Sequence, residues 1–202
     1  MQKPFRQHGN AILCKMYPFV KRIIDIVVSL SVIIIFLPLF LVTALIIYLH
    51  DLHNPIFYHK RVGKNASIFY CYKFRSLPVN TPNVESNALD KIKFTPLGKF
   101  IRRSNLDELP QLYNILKGEM SLIGPRPPIP SQTNLIRLRS ENGVIRLIPG
   151  LTGWAQVNSY SNMPDYEKVS LDEYYLNHIS LALDINIVIR TLTYLTKKPP
   201  VY

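Results

Sequence analysis

Twenty-four consecutive residues, from Ile26 to Leu49 (IVVSLSVIIIFLPLFLVTALIIYL), carry no charge, and a proline stands at their middle. A straight helix of that length would reach ~36 Å, enough to cross the hydrocarbon core of a bilayer. Pro38 lacks a backbone N–H and its ring clashes with the turn before it, so the helix is expected to kink or break at mid-depth. Lys15, Lys21 and Arg22 precede the run, and Lys60, Arg61, Lys64, Lys73 and Arg75 follow it. Spanning segments concentrate Lys and Arg on one side, whereas here both flanks look cytoplasmic. A helix that enters, bends near Pro38 and returns to the same face reconciles charge with length. It must then find partners for the backbone groups freed inside hydrocarbon. The run is too long for a signal-peptide core and no small-residue cleavage site follows it, which argues against a cleaved leader.

The rest of the composition agrees with a partner other than water. Hydrophobic residues make up 48% of the chain and charged ones only 18%, low for a soluble domain. Lys and Arg outnumber Asp and Glu by 24 to 13, a net charge of +11. That excess suits a membrane surface, nucleic acid or a phosphorylated substrate, and charge alone does not choose among them. Cys14 and Cys71 are far apart and outside any CxxC or Cys/His spacing, so neither a disulfide framework nor a zinc site is indicated.

After the apolar run, PIFYHKRVGKNASIFYCYKFRSL reads as a β-hairpin turning at Gly63, Lys64 and Asn65. Alternation in its second strand puts Ile68, Tyr70, Tyr72 and Phe74 on one face and Lys73 with Arg75 on the other. The two cations suit a phosphate cradle or a solvated strand face equally. Residues 78–93 are polar, contain two prolines and read as a surface loop.

The segment SNLDELPQLYNILKG sets Asp107 and Glu108 side by side before Pro110. Leu109, Leu112, Tyr113 and Leu116 recur with the spacing of an amphipathic helix, and Gly118 suits its end. Pro110 belongs in the first turn, so the helix is expected to start near Asp107. By position alone the acid pair is a helix cap. Lys99, Arg102 and Arg103 just upstream add a second reading, since cations and a helix N-terminus both favour ionised carboxylates and bound phosphate. An ionised Asp in that setting can attack phosphorus, with Mg²⁺ or arginines easing the repulsion between carboxylate and phosphate. Arg126, between Pro125 and Pro127, is either a positioned phosphate ligand or part of a polyproline-type linker. Trp154, in IPGLTGWAQVN, reads as an interfacial anchor or as core. The closing helical pattern, with Leu181, Ile185, Val188, Leu192 and Leu195 on one side and Lys197 and Lys198 beyond, reads as an interfacial helix or a core helix.

KRIIDIVVSL before the broken apolar run, YKFRS, GKFIRRSNLDELPQLYNILKGEMSLIGPRP, PGLTGWAQVN and DEYYLNHISLALDINI together resemble the bacterial sugar transferases, the small monotopic phosphoglycosyl transferases. The resemblance runs from about Lys21 to Thr196. It implies an α+β, mainly helical fold: a monotopic membrane protein with a proline-broken re-entrant helix, a β-hairpin and interfacial amphipathic helices. Residues 1–20 would form a basic N-terminal lead, 21–50 the re-entrant membrane helix and 51–202 a cytoplasmic catalytic domain on the inner face of the bacterial cytoplasmic membrane.

The implied reaction moves a sugar 1-phosphate from a UDP-sugar to undecaprenyl phosphate, beginning a surface polysaccharide or glycoconjugate. Asp107 matches the family's nucleophile and Glu108 its partner in the dyad; both are the expected ligands of the family's cofactor, Mg²⁺. Lys73, Arg75, Arg102 and Arg126 are the expected substrate-binding residues. The partners are then donor, lipid acceptor and membrane lipid, without nucleic acid, and self-association is left open. Leu37 stands where the family often has Ser before the breaking proline, and Ser159 where its AQVNG motif ends in Gly. Two rival readings are a sequential enzyme using Asp107 or Glu108 as general base, and a non-catalytic basic membrane-associated protein.

Overall fold

A computed structural model describes residues 11–79, 81, 95–160 and 162–195. Most of the polar loop expected at 78–93, together with Lys197 and Lys198, lies outside them. The chain runs α1 (Ala11–Ile35), α2 (Leu37–Asp51), β1 (Ile56–Val62), β2 (Ile68–Phe74), α3 (Pro96–Arg103), a 3-10 turn (Leu106–Glu108), α4 (Gln111–Lys117) and β3 (Ser121–Ile123). It continues through α5 (Thr133–Glu141), β4 (Gly150–Thr152), α6 (Trp154–Asn158), α7 (Asp165–His178) and α8 (Leu181–Leu195). Over the described residues the architecture is mainly helical with two small two-stranded sheets. β1 and β2 form an antiparallel hairpin, and β3 pairs with β4 in parallel.

The apolar run is broken as expected, but two residues earlier. Its two arms, Tyr17–Ile35 and Leu37–Asp51, meet at 64°, and among the described residues no single helix is long and apolar enough to cross a membrane. The break falls at Phe36 (φ −97°, ψ 11°), which places Pro38 in the first turn of α2. Proline is tolerated there because its missing N–H would have no intrahelical acceptor, so the chain bends ahead of the ring. Little backbone bonding is lost: the Phe36 N–H donates to Val32 O (3.0 Å) and the Phe40 N–H to Phe36 O (2.9 Å).

The crook of the bend is filled. Val32, Ile33 and Phe40 pack on the buried cluster Phe69, Cys71, Leu112, Ile115 and Met120, and Ile47 joins Phe74 and Ile101. Each fully buried aliphatic side chain of this kind contributes roughly 1.5–3 kcal/mol. The outer side of the arms, including Val27, Ile35, Leu41 and Leu45, stays exposed.

Charged residues at the foot of α1 are committed to the protein. Arg22 donates from Nη1 to Ile115 O (2.6 Å) and from Nη2 to Leu116 O (2.8 Å), satisfying carbonyls at the C-terminal end of α4, where a cation also complements the helix dipole. Gly118 (φ 83°) ends that helix in the left-handed conformation the sequence suggested. Asp25 accepts from the Leu122 N–H (3.0 Å). Lys21 pairs with Asp184 of α8 (2.6 Å), which also accepts from Tyr175 (2.8 Å). Two of the cations that argued for a cytoplasmic flank are therefore internal fasteners.

Other expectations are corrected by packing. The acid-pair helix starts at Gln111, with Pro110 at its N-cap, rather than near Asp107. Within it Tyr113 is exposed, while Leu112, Asn114 and Ile115 are buried. The closing helical segment is two helices, divided at Ile179. Leu181, Ile185, Val188 and Leu192 form the exposed side of α8, and Asp184 and Ile187 its buried side, which overturns the core-helix reading of that stripe. Trp154 packs on the Ile123, Tyr175 and Ile187 cluster, stacks on Tyr174 (5.3 Å) and lies 4.9 Å beneath the Arg190 guanidinium.

Candidate active site

The acid pair is not a cap. Asn105, in the left-handed region (φ 55°), turns the chain into the 3-10 turn Leu106–Glu108, and neither N-cap residue, Asn105 of that turn or Pro110 of α4, makes a side-chain capping hydrogen bond. Asn is among the few non-glycine residues that enter this region readily. The turn leaves both carboxylates directed at β2, to which α4 is stitched by Asn114. Its Nδ2 donates to Tyr70 O (2.7 Å) and its Oδ1 accepts from the Tyr72 N–H (3.1 Å). One residue farther along β2, Lys73 meets the dyad.

Lys73 Nζ lies 2.7 Å from Glu108 Oε1 and 3.7 Å from Asp107 Oδ2; Arg126 Nη2 approaches the same Glu108 oxygen at 3.4 Å. Strand alternation explains the reach of Lys73, which shares a face with the buried Phe69 and Cys71. Arg126 is held through its backbone. Four successive carbonyls of its loop are occupied: Pro125 O by the Gly150 N–H (2.9 Å), Arg126 O by Arg139 (2.7 Å), Pro127 O by Arg61 (3.0 Å) and Pro128 O by the Val62 N–H (2.9 Å). The proline-rich stretch is thus a clamped loop, not a linker. Close backbone approach supports it, since a Cβ on Gly150 would lie 2.0 Å from Gly124 N.

The two carboxylates are electrostatically unequal. Burial alone would raise Glu108, but Lys73 and Arg126, by charge and hydrogen bond, hold it down at about 2. Burial pushes Asp107 upward; Lys73, Arg102 and Arg126 oppose this, and the neighbouring Glu108 reinforces it. The expectation that cations keep both acids strongly ionised therefore holds for Glu108, whereas Asp107 is the more basic and the more weakly held. Its side chain is 10% exposed.

The structure brings Lys73, Arg126, Asp107 and Glu108 together, and the charge of Arg102 acts on Asp107. Arg75 is elsewhere: it lies just beyond the end of β2 and lines a separate cleft with His50, Asp51, Thr95 and Gly98. Two residues were missed. His59 and Arg61 lie on the same hairpin face, opposite Cys71 and Phe69. Pairing the strands outward from the Gly63–Asn65 turn would have revealed them.

Among the described residues no three His, Cys, Asp or Glu side chains gather as a metal cage. The dyad offers two adjacent carboxylates, and the ion pairs engage one oxygen on each. That donor set fits Mg²⁺, which takes much of its shell from phosphate and water, better than a metal needing a full protein cage.

The family model for bacterial sugar transferases matches residues 16–198. The chain is 38% identical over 195 residues to a UDP-N-acetylgalactosamine-undecaprenyl-phosphate N-acetylgalactosaminephosphotransferase of Aeromonas hydrophila, covering 92% of this chain and 46% of that protein. It is 36% identical to a UDP-galactose-lipid carrier transferase of Erwinia amylovora (91% and 42% covered) and 32% identical to the exopolysaccharide production protein ExoY of Sinorhizobium fredii (85% and 83% covered). The chain thus spans less than half of the first two relatives and most of the third. With a matched region that takes in the bent helix pair, the hairpin and the dyad, the chain belongs to the bacterial sugar transferase family.

Proposed function

We propose that this chain transfers a sugar 1-phosphate from a UDP-sugar to undecaprenyl phosphate through a covalent intermediate on Asp107. The observation that carries the reading is the inequality of the dyad: Glu108 is locked by Lys73 and Arg126, while Asp107 is buried, raised in basicity and held only at 3.7 Å. A carboxylate nucleophile needs that relative freedom.

In the first half-reaction an Asp107 oxygen attacks the β-phosphorus, forming the acyl-phosphate bond while the bond from that phosphorus to the UMP oxygen breaks. UMP leaves with the bond electrons. In the second, an oxygen of undecaprenyl phosphate attacks the same phosphorus, and the Asp107–phosphorus bond breaks to restore the carboxylate. Lys73 and Arg126 offset charge on the phosphoryl oxygens, and Glu108 keeps Lys73 in place. Mg²⁺ held by Asp107 and Glu108 would supply further charge neutralisation on the diphosphate. No general base is required in either half, because the Asp107 carboxylate and the lipid phosphate are both nucleophiles in their ionised forms.

The bent helix pair, the exposed apolar residues on its arms and the outward stripe of α8 support a monotopic seat in the cytoplasmic leaflet. Cysteines introduced at both ends of the apolar run should be labelled from the cytoplasmic side alone; periplasmic labelling of either end contradicts re-entrance. For the chemistry, UDP-sugar without lipid acceptor should release UMP in a burst equal to the enzyme present. A burst that appears only when undecaprenyl phosphate is added supports the sequential scheme instead. Running the burst across UDP-linked glucose, galactose and N-acetylated sugars identifies the donor.

A further inference from the structure

Beside the dyad, on the buried face of the hairpin, stands a polar side chain to which the scheme above gives no role. His59 is 6% exposed and lies opposite Cys71, one diagonal step from Lys73 in the strand register. Its Nε2 is 2.5 Å from Nε of Arg61. A guanidinium nitrogen is always a donor, so Nε2 is the acceptor and the single proton of the neutral ring sits on Nδ1. That Nδ1–H is buried and has no acceptor among the described residues. Native structures seldom leave a buried donor unpaired without a use for it. Phe57 stacks on the ring at 5.5 Å and fixes its plane, and Arg61 is itself fastened to Pro127 O of the Arg126 loop.

The surroundings select the missing acceptor. Arg61, Lys73 and Arg126 are the cations acting on the ring, and Glu108 is the acid acting on it. Glu108 already accepts from Lys73 and Arg126. An acceptor drawn into this cationic corner is an anionic oxygen brought by the substrate. A second proton on the ring is opposed by burial and then by Arg61, Lys73 and Arg126, which hold its pKa down at about 3. His59 therefore works as a neutral donor, polarised from behind by the Arg61 N–H.

We propose that His59 is a substrate-binding residue whose Nδ1–H donates to a phosphate oxygen of the nucleotide-linked donor bound at the dyad. This rests on the reading of the dyad as the donor site. It makes the hairpin, through the Arg61–His59 pair, a second wall of the phosphate pocket opposite the 3-10 turn.

The test uses the full chain in lipid nanodiscs with ¹⁵N-labelled histidine, the His59 resonances being identified by their loss in His59→Asn. The expected free state is the neutral Nδ1–H form across the neutral pH range. Adding UDP should move the Nδ1–H resonance, and inorganic pyrophosphate should move it less. His59→Asn, whose amide can present a donor near the Nδ1 position, should keep UDP affinity within about threefold, whereas His59→Phe should lose roughly 5- to 20-fold. Both variants leave Arg61 Nε without its acceptor and should unfold at similar midpoints somewhat below wild type, so their difference in UDP affinity is read at matched stability, and the wild-type resonances give an answer even where a variant does not fold. An Nε2–H ring, a His59 signal unmoved by either ligand, or wild-type affinity in His59→Phe overturns the proposal. If pyrophosphate and UDP act alike, the phosphate contact stands and the uridine-nucleotide reading falls. An unresponsive His59 in a chain that binds UDP leaves that reading intact and removes His59 from it.

Discussion

Two acid–cation clusters flank the Arg126 loop, and they are built to opposite ends. In one, Asp172 of α7 takes Nε and Nη2 of Arg139 at 3.0 and 2.7 Å, with side chains 2% and 6% exposed. In the other, Asp107 and Glu108 share Lys73, and Arg126, 40% exposed at its side chain, reaches in from the rim. Burial pushes both Asp172 and Asp107 upward, so burial does not separate them. What separates them is closure. One acid whose Oδ2 accepts from two nitrogens of one guanidinium makes a one-to-one pair. Two adjacent acids whose nearest cation favours Glu108 leave Asp107 the more weakly held of the pair. The closed pair is nevertheless tied to the open site, because Arg139 also binds Arg126 O.

The largest effect that breaks this contrast is chemical. Asp107→Asn should lower lipid-linked product formation by about 10³-fold or more, measured as UMP release. A folded-state pKa above the unfolded value means that ionising Asp107 opposes folding once pH rises past the ordinary aspartate range. The same variant should therefore unfold at an equal or higher temperature than wild type at neutral pH. A variant that lost activity by losing its fold would place Asp107 with Asp172 as a structural acid.

Next is the closed pair. Asp172→Ala leaves Arg139 buried without its partner and should cost about 3–5 kcal/mol in denaturant unfolding, with most of it recovered when Arg139 is also made apolar. Retained stability in the single variant would remove the distinction between the two clusters. Lys73→Met comes third, with a fall of roughly 10- to 100-fold in kcat/KM, in line with loss of one electrostatic contact to the transferred group. The acidic limb of the wild-type pH profile should lie above the ordinary aspartate range, because Asp107 must be ionised to attack. Lys73→Met should move that limb higher, since Lys73 is what lowers the Asp107 pKa most. A limb that stays in place assigns it to some other group. The smallest effect is Arg22→Ala, which frees two carbonyls at the end of α4 and should cost about 1–2 kcal/mol in stability, with kcat little changed.

Much of this molecule was legible in the sequence, and the parts that were not share a cause. Pro38, Gly118 and the Gly63–Asn65 turn act on their own neighbours, so the bent helix pair, the end of α4 and the hairpin could be read locally, with the bend misplaced by two residues because proline is accepted in a first turn. That Asp107, Glu108, Lys73 and Arg126 come together was legible through the family resemblance more than through spacing. Partners distant in sequence were invisible. Nothing near Arg22 or Lys21 announces Ile115 or Asp184, so both looked like free flanking charge. His59 and Arg61 were hidden in an aromatic strand whose facing side is decided by register, and Arg75 lines a different cleft whose other walls, His50, Asp51, Thr95 and Gly98, are distant in sequence.

The central claim is that Asp107 becomes covalently bonded to phosphorus. The most direct measurement is mass spectrometry of the chain quenched after mixing with UDP-sugar in the absence of undecaprenyl phosphate. One added sugar phosphate per chain is expected, located on the peptide containing Asp107, discharged when the lipid acceptor is supplied and absent from Asp107→Asn. An unmodified chain under conditions where added lipid gives full turnover would contradict it.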